Sequence, residues 1–289
     1  MYYGINLPPF GDLGDPRVLA DLAREAEVAG WDGFFIWDHM IFDPSFYPIV
    51  DPIVALAAVA VNTSRIRLGT LVTPLPRRRP WKLARETVSL DRLSGGRLIL
   101  GVGIGNPAQW EYGFFGEQSD AKVRADQLDE GLDILTGLWS GELFSYQGEH
   151  YQLNQMRFLP RPLQSPRIPI WVGGNWPNKP PFRRAARWDG MCPSGRDGPL
   201  TPDDWRELRA YVDEFRTSDA PFDLVCSGET SSQNKAQDAD SVVRFIEAGC
   251  TWWIEEVSPW RFGWKWEDAL APDATRMMRE RVLLGPPQR

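Results

Sequence analysis

Apolar runs of strand length alternate with amphipathic runs of helix length along the whole chain, and this rhythm constrains the fold more than any single motif. Strands are expected at Tyr2–Asn6, Gly33–Trp37, Arg67–Leu71, Arg97–Val102, Pro169–Val172, Gly190–Cys192, Asp223–Cys226 and Trp252–Glu255. Helices are expected from Asp15-Pro16 to Gly30 and at Asp51–Val61, Trp81–Leu93, Val123–Trp139, Pro181–Ala186, Asp203–Phe215 and Asp240–Ala248. Asp15 and Pro16 form an N-cap and N1 pair, Leu19, Leu22, Ala23 and Ala26 form one apolar face, and Gly30 closes the helix as its C′ residue. Repeated strand–helix units give parallel strands with right-handed crossovers. Eight such units in 289 residues fit a (β/α)8 TIM barrel better than an open sheet.

One stretch breaks the rhythm. Phe144–Leu153, FSYQGEHYQL, alternates like a hairpin around Gln147-Gly148, and Asn154–Arg167 is rich in proline. The expectation is one domain over 1–289 with an insertion at about 140–168, between the fourth and fifth barrel strands.

The segment GGRLILGVGIGN, Gly95–Asn106, packs five glycines around one apolar run. A dinucleotide fingerprint would run strand, G-x-G-x-x-G, helix. Here the spacing after Val102 differs, and Pro107 opens an aromatic loop, so the Rossmann reading is weak. In a barrel these glycines fall at the mouth, where they would give clearance for a large planar ligand.

Composition narrows the function. A net charge of −7 argues against nucleic acid or an anionic membrane as partner. The longest apolar stretch, Pro52–Val61, is too short to span a bilayer. Tyr2–Asn6 already reads as a strand with no basic segment before it, so a cytoplasmic location without a secretory leader is expected. Cys192, Cys226 and Cys250 are odd in number and set in apolar segments, which reads as reduced core thiols. Without CxxC or HExxH, and with only 2 histidines, no metal site is expected. The 14 tryptophans point to flat ligand surfaces or a large interface, and a homodimer is the expected assembly. Trp252, Trp253, Trp260, Trp264 and Trp266 cluster around the last strand and read as a lid or interface.

Barrel chemistry sits at the C-terminal ends of the strands. That rule selects Asn6, Asp38-His39, Thr70–Thr73, Gly103–Asn106, Gly173-Gly174-Asn175, Ser194-Gly195, Glu229-Thr230 and Glu255-Glu256. His39, beside Asp38, can titrate near neutral pH and exchange a proton, and its alternative is a hydrogen-bonded structural histidine. His150, in the hairpin, reads as structural. Gly173, Gly174, Asn175, Ser194 and Gly195 could present amides and a hydroxyl to a phosphate, or could be ordinary βα turns. Thr70-Leu71-Val72-Thr73-Pro74 is either a backbone ledge or a proline-terminated strand, and both readings stay open. Arg77-Arg78-Arg79 reads as a solvated face able to guide an acidic ligand tail.

With FFIWDH, IRLGTLVTP, RETVSLDRLSGGRLILGVGIG, LDEGLDILTGLWSGELFSYQGEHY, PRIPIWVGG and RRAARWDGMCP in family order over roughly residues 1 to 195, the chain resembles the luciferase-like monooxygenase superfamily of flavin- and deazaflavin-dependent oxidoreductases. The resemblance implies a TIM-like barrel with an isoalloxazine-type ring in its mouth. It places a bulge, often with a non-proline cis peptide, at Thr70, Leu71 and Val72, and phosphate contacts at Gly173, Gly174, Asn175, Ser194 and Gly195. Asn6, Gly103, Gly105 and Asn106 join them as cofactor contacts at the mouth, with Asp38 and His39 near the reactive centre. Sugar-phosphate dehydrogenases of the deazaflavin branch carry a glutamate where this chain has Asn106, and Glu111 lies several residues further on. That departure puts glucose-6-phosphate-type chemistry in doubt.

The expected reaction is hydride transfer between cofactor and a small organic substrate, with His39, steered by Asp38, as proton donor or acceptor. The glycine-rich end of strand four resembles that of deazaflavin members, and this resemblance implies F420 before FMN. An FMN enzyme would instead act as a monooxygenase with oxygen and a separate flavin reductase. Two rivals stand beside this reading. One is a barrel glycosidase using Glu229 and Glu255 as paired carboxylates, and the other is a flavin-binding protein without turnover. Phe42–Tyr47, Trp110–Phe115 and Trp260–Trp266 are the loops expected to shape the substrate pocket.

Overall fold

The structure, a computed structural model, describes residues 1–41, 48–265 and 272–287. The expected pocket loop Phe42–Tyr47 and the last tryptophan of the cluster, Trp266, lie outside the described residues.

The strands are β1 (Tyr2–Leu7), β2 (Gly33–Ile36), β3 (Arg67–Pro74), β4 (Leu98–Gly103), β5 (Leu143–Gln147), β6 (Gln152–Arg157), β7 (Ile170–Trp176), β8 (Gly190–Gly195), β9 (Asp223–Gly228) and β10 (Trp252–Glu256). The helices are α1 (Pro16–Val28), α2 (Pro52–Asn62), α3 (Pro80–Leu93), α4 (Ala108–Glu111), α5 (Ala121–Trp139), α6 (Pro180–Ala185), α7 (Pro202–Asp213), α8 (Lys235–Glu247) and α9 (Pro272–Leu283). Eight strands close a barrel in the order β1-β10-β9-β8-β7-β4-β3-β2, every pair parallel. The antiparallel pair β5–β6 is the expected insertion. Its turn is held by α5: the Glu130 carboxylate accepts from the backbone amides of Glu149, His150 and Tyr151.

Helix starts follow local chemistry. The side chains of Asp15, Asp51 and Asp120 accept from first-turn amides, and Thr201 with Asp204 forms a capping box. Gly30, at φ +94°, terminates the first helix unit as expected.

Three differences from the sequence reading have physical causes. First, β7 and β8 run on through Trp176 and Gly195, because Gly173↔Cys192 to Trp176↔Gly195 continue the parallel ladder through glycine-rich sequence. Second, α9 was not expected. Its composition is largely charged, but Ala274, Met278 and Val282 recur every fourth residue and are buried, while Trp31 Nε1 donates to the Val282 carbonyl at 2.8 Å. Third, Cys226 and Cys250 form a disulfide instead of remaining reduced thiols. Register brings them together, since Val225 on β9 lies opposite Trp252 on β10, and their Cα atoms are 6.1 Å apart. Cys192 is free.

The tryptophans of the last strand also differ from expectation. Trp252 and Trp253 are buried core residues, not members of the expected lid or interface. Trp252 joins Phe35, Ile99, Trp171, Val225 and Ile254 in a cluster inside the barrel, separate from the larger core. Ring centroids of Phe35–Trp171, Trp171–Trp252 and Phe35–Trp252 are 5.3, 5.2 and 5.9 Å apart. These rings fit because the strands facing them carry glycine. A Cβ on Gly33 would meet Phe35 at 2.5 Å and Trp252 at 2.9 Å, and one on Gly190 would meet Trp171 at 2.6 Å.

Removing this plug should be costly. Trp171→Ala is expected to lower unfolding free energy by about 3–5 kcal/mol in urea denaturation, the range for large-to-small aromatic changes. A loss under about 1 kcal/mol would show that the interior collapses around the gap.

Candidate active site

Above the plug, at the C-terminal rim, a cavity of about 1120 Å3 opens between the strand ends. Asn6, Asp38, His39, Leu71, Val72, Gly103, Gly105, Asn106, Gly173, Gly174, Asn175 and Ser194 line it. Two expected contacts do not. Thr70 is buried beneath the bulge, its hydroxyl 2.8 Å from that of Thr73. Gly195 packs against its own chain, where a Cβ would meet the Gly198 carbonyl at 1.9 Å.

The stretch Thr70–Thr73 resolves as a ledge. Thr70 pairs with Leu100 and Thr73 with Val102, so β3 gains one residue over β4 and bulges. The Leu71–Val72 peptide is cis. Val72 then projects between two glycines: a Cβ on Gly103 would meet its Cγ2 at 2.9 Å, and one on Gly173 its Cγ1 at 3.0 Å. The expected clearance for a ligand at Gly103 is therefore taken up by Val72, which itself forms the apolar surface toward the cavity. Gly174 likewise makes room for Pro181, where a Cβ would sit 2.4 Å away. Because β7 and β8 stay paired to their ends, Gly173, Gly174 and Asn175 are rungs of a ladder that ends at Trp176 and not free turns.

The glycine loop after β4 is held from α5 and from the aromatic segment. Arg124, buried, donates to the Ile104 and Gly105 carbonyls at 2.5 and 2.7 Å. Tyr112, its phenol pushed up to about 12 by burial, donates to the Ile104 carbonyl at 2.9 Å.

His39 has a different partner from the one expected. Its Nδ1 lies 2.6 Å from Glu111 Oε1, a fully buried carboxylate. Asp38 is bound instead to two arginines: Arg77, and Arg78, whose Nη2 donates at 2.9 and 3.1 Å. Arg77 also pairs with Glu111, so one guanidinium bridges both carboxylates. Arg77 and Arg78 are thus largely buried members of the site, correcting their reading as a solvated face, while Arg79 is exposed. Two acids and two arginines balance, which is the condition for burying them together.

Burial pushes the His39 imidazolium down to about 4, against the attraction of Asp38 and with the repulsion of Arg77. The neutral ring still donates Nδ1–H to Glu111, which makes Nε2 the basic nitrogen. Trp37 lies edge-on to His39 with centroids 5.9 Å apart, and Trp260 stacks on Trp37 at 5.7 Å and 4°.

The paired-carboxylate alternative loses its geometry. Glu255 is buried and saturated by Thr230, Trp253, Arg261 and Arg281, while Glu229 is exposed. Glu256, next in the chain, lines the cavity instead.

A family model described as luciferase-like monooxygenase matches residues 4–289. The uncharacterised protein Rv0940c of Mycobacterium tuberculosis is 33% identical over 223 residues, covering 70% of this chain and 74% of that one. An F420-dependent glucose-6-phosphate dehydrogenase of Nakamurella multipartita is 34% identical over 166 residues, 56% of this chain and 48% of its own length. Among solved structures, an F420-dependent secondary alcohol dehydrogenase in complex with an F420-acetone adduct superposes with a TM-score of 0.77 at 15% identity, covering 100% of this chain and 99% of that one.

The protonation state of His39 is directly measurable, because the chain has only 2 histidines. In 15N NMR, with a His150→Gln variant for assignment, His39 is expected as the neutral Nδ1–H tautomer at pH 7. Its titration is expected near pH 4 and none near 6.5. The unfolded chain holds the extra proton between those values, so stability should fall as pH drops through the same window. A step at pH 6–7 would overturn this assignment.

Proposed function

The chain belongs to the luciferase-like monooxygenase family, and on that premise we propose an oxidoreductase moving a hydride between a flavin-type cofactor, F420 before FMN, and a small alcohol or carbonyl substrate. The observation that carries this reading is the Val72 ledge facing a cavity of about 1120 Å3 with a neutral histidine at its rim. Such a volume exceeds the usual small-ligand range at its upper end, enough for a tricyclic ring and a small substrate together. The similarity to F420-dependent glucose-6-phosphate dehydrogenases supports F420, although this chain spans about half their length.

The residues present fit a planar redox ring. Val72, flanked by Gly103 and Gly173, offers a flat apolar support, and the glycine loop is braced by Arg124 and Tyr112. When bound, the cofactor supplies the two-electron hydride chemistry that side chains lack.

His39 handles the proton. As the substrate alcohol is oxidised, Nε2 takes the hydroxyl proton, and in the reductive direction it returns that proton to the carbonyl oxygen. Glu111 keeps the ring in the tautomer with Nε2 unprotonated and stabilises the imidazolium once it forms. Arg77 holds Glu111 from its other oxygen, so the carboxylate cannot turn away. Glu111, five residues beyond Asn106, directs its buried carboxylate to His39 and Arg77 and does not line the cavity.

The cofactor is tested by titrating the purified protein with F420 and, separately, FMN, reading fluorescence. Saturable binding of F420 is expected to be the tighter. Tighter FMN binding would move the reading to an FMN enzyme, and binding of neither would overturn it. With the cofactor bound, His39→Ala should lower turnover about 10²-fold while cofactor affinity is retained. An unchanged rate would remove His39 from the proton path.

A further inference from the structure

The cavity floor has a polar half that the His39 chemistry leaves unused. Side chains alternate inward and outward along each strand, so the top layer of the barrel interior sets Asn6, Glu256, Ser227 and Cys192 beside one another on β1, β10, β9 and β8. The facing half is apolar, made by Leu71 and Val72. Strand register puts Asn6 opposite Glu256, and Asn6 Nδ2 donates to the two carboxyl oxygens at 3.0 and 3.3 Å. Asn6 is buried and its Oδ1 has no hydrogen-bond partner among the described residues.

No cation pairs with this carboxyl among the described residues. Arg261 and Arg281 bind Glu255, on the outward face of the same strand, and Arg261 meets Glu256 only at its main-chain carbonyl, at 2.9 Å. The other titratable neighbours are Glu229, Glu255 and Cys192. Burial pushes the Glu256 acid up to about 8, reinforced by Glu229 and Glu255 and opposed by hydrogen bonds from Asn6 and Ser227. Burial also pushes the Cys192 thiol up to about 12. Both shifts favour the uncharged form of the group.

We propose that Glu256 and Asn6 together read the edge of the bound heterocycle: the Glu256 carboxylic acid donates to a ring carbonyl, and Asn6 Oδ1 accepts from the adjacent ring N–H. The pair is complementary to a lactam edge, where a C=O and an N–H stand side by side, and flavin and 5-deazaflavin rings both carry one. A phosphate or carboxylate does not fit this half of the floor, because it would meet a carboxyl with no cation beside it. Glu256 is thus a positioning residue whose neutral form is the binding form. The proposal rests on the cofactor reading above.

The test compares wild type with Glu256→Gln, which keeps a donor of the same shape but cannot ionise. Dissociation constants for F420 and for FMN are measured by fluorescence at pH 6 and pH 9. The ratio of the two proteins at each pH cancels ionisation of the cofactor itself. Loss of the binding form should weaken wild type, relative to the variant, about tenfold at pH 9 against pH 6. An unchanged ratio overturns the proposal. A variant that is folded by circular dichroism yet fails to bind at pH 6 also overturns it. An independent readout is the infrared carbonyl band of a protonated carboxyl at pH 7, expected in wild type and missing in Glu256→Gln. Its absence from wild type refutes the neutral acid whatever the cofactor does. If neither cofactor binds wild type, the cofactor reading falls, and the edge-reading role falls with it.

Discussion

Large rings facing absent side chains set the terms for everything above them in this barrel. Phe35, Trp171 and Trp252 fill the interior only because Gly33 and Gly190 leave the volume they occupy. A methyl group at either position would overlap ring carbons by more than packed atoms tolerate. The plug closes the lower barrel and leaves the upper layer unfilled. Val72 is placed on the same principle, its two methyl groups received by Gly103 and Gly173. The cavity is what remains when the interior residues change from bulky aromatics to glycine, asparagine and small polar groups.

Two buried charge clusters then give the rim its chemistry. Asp38, Arg77, Arg78 and Glu111 neutralise one another and hold His39 in one tautomer. Removing any member would leave the cluster with an unbalanced buried charge. The second cluster, Glu255 with Arg261 and Arg281, ties the turn after β10 and the final helix to the barrel. It absorbs the cations at that end, and the next carboxyl, Glu256, is left to the cavity without one. Adjacent glutamates on one strand thus have opposite fates, because successive side chains point to opposite faces of a sheet.

Much of this was legible from local patterns. Helix starts could be read from Asp15-Pro16 and Asp51-Pro52, and strands from their apolar runs, because capping and periodicity depend on neighbours a few residues away. The extensions of β7 and β8 were missed because glycine hides a strand. The last helix was missed because its buried stripe is only three residues wide amid charge. The site was half legible. Asp38-His39, the bulge and the glycine loop follow from their place at strand ends. The partner of His39 does not, since Glu111 is 72 residues away and reaches it only when an aromatic loop folds over the rim.

The order of residues alone determined the number of strand–helix units, their parallel closure and the strand ends at which chemistry would gather, since these depend on periodicity and caps short in range. Tertiary structure decided which acid holds His39, that Arg77 and Arg78 are largely buried, that Cys226 meets Cys250, and which glycines make room for a neighbouring side chain. Those outcomes depend on the radius and register of a closed cylinder, which bring together residues from strands and loops far apart in the chain. Pairing at that range is set by packing, and packing has no local signature.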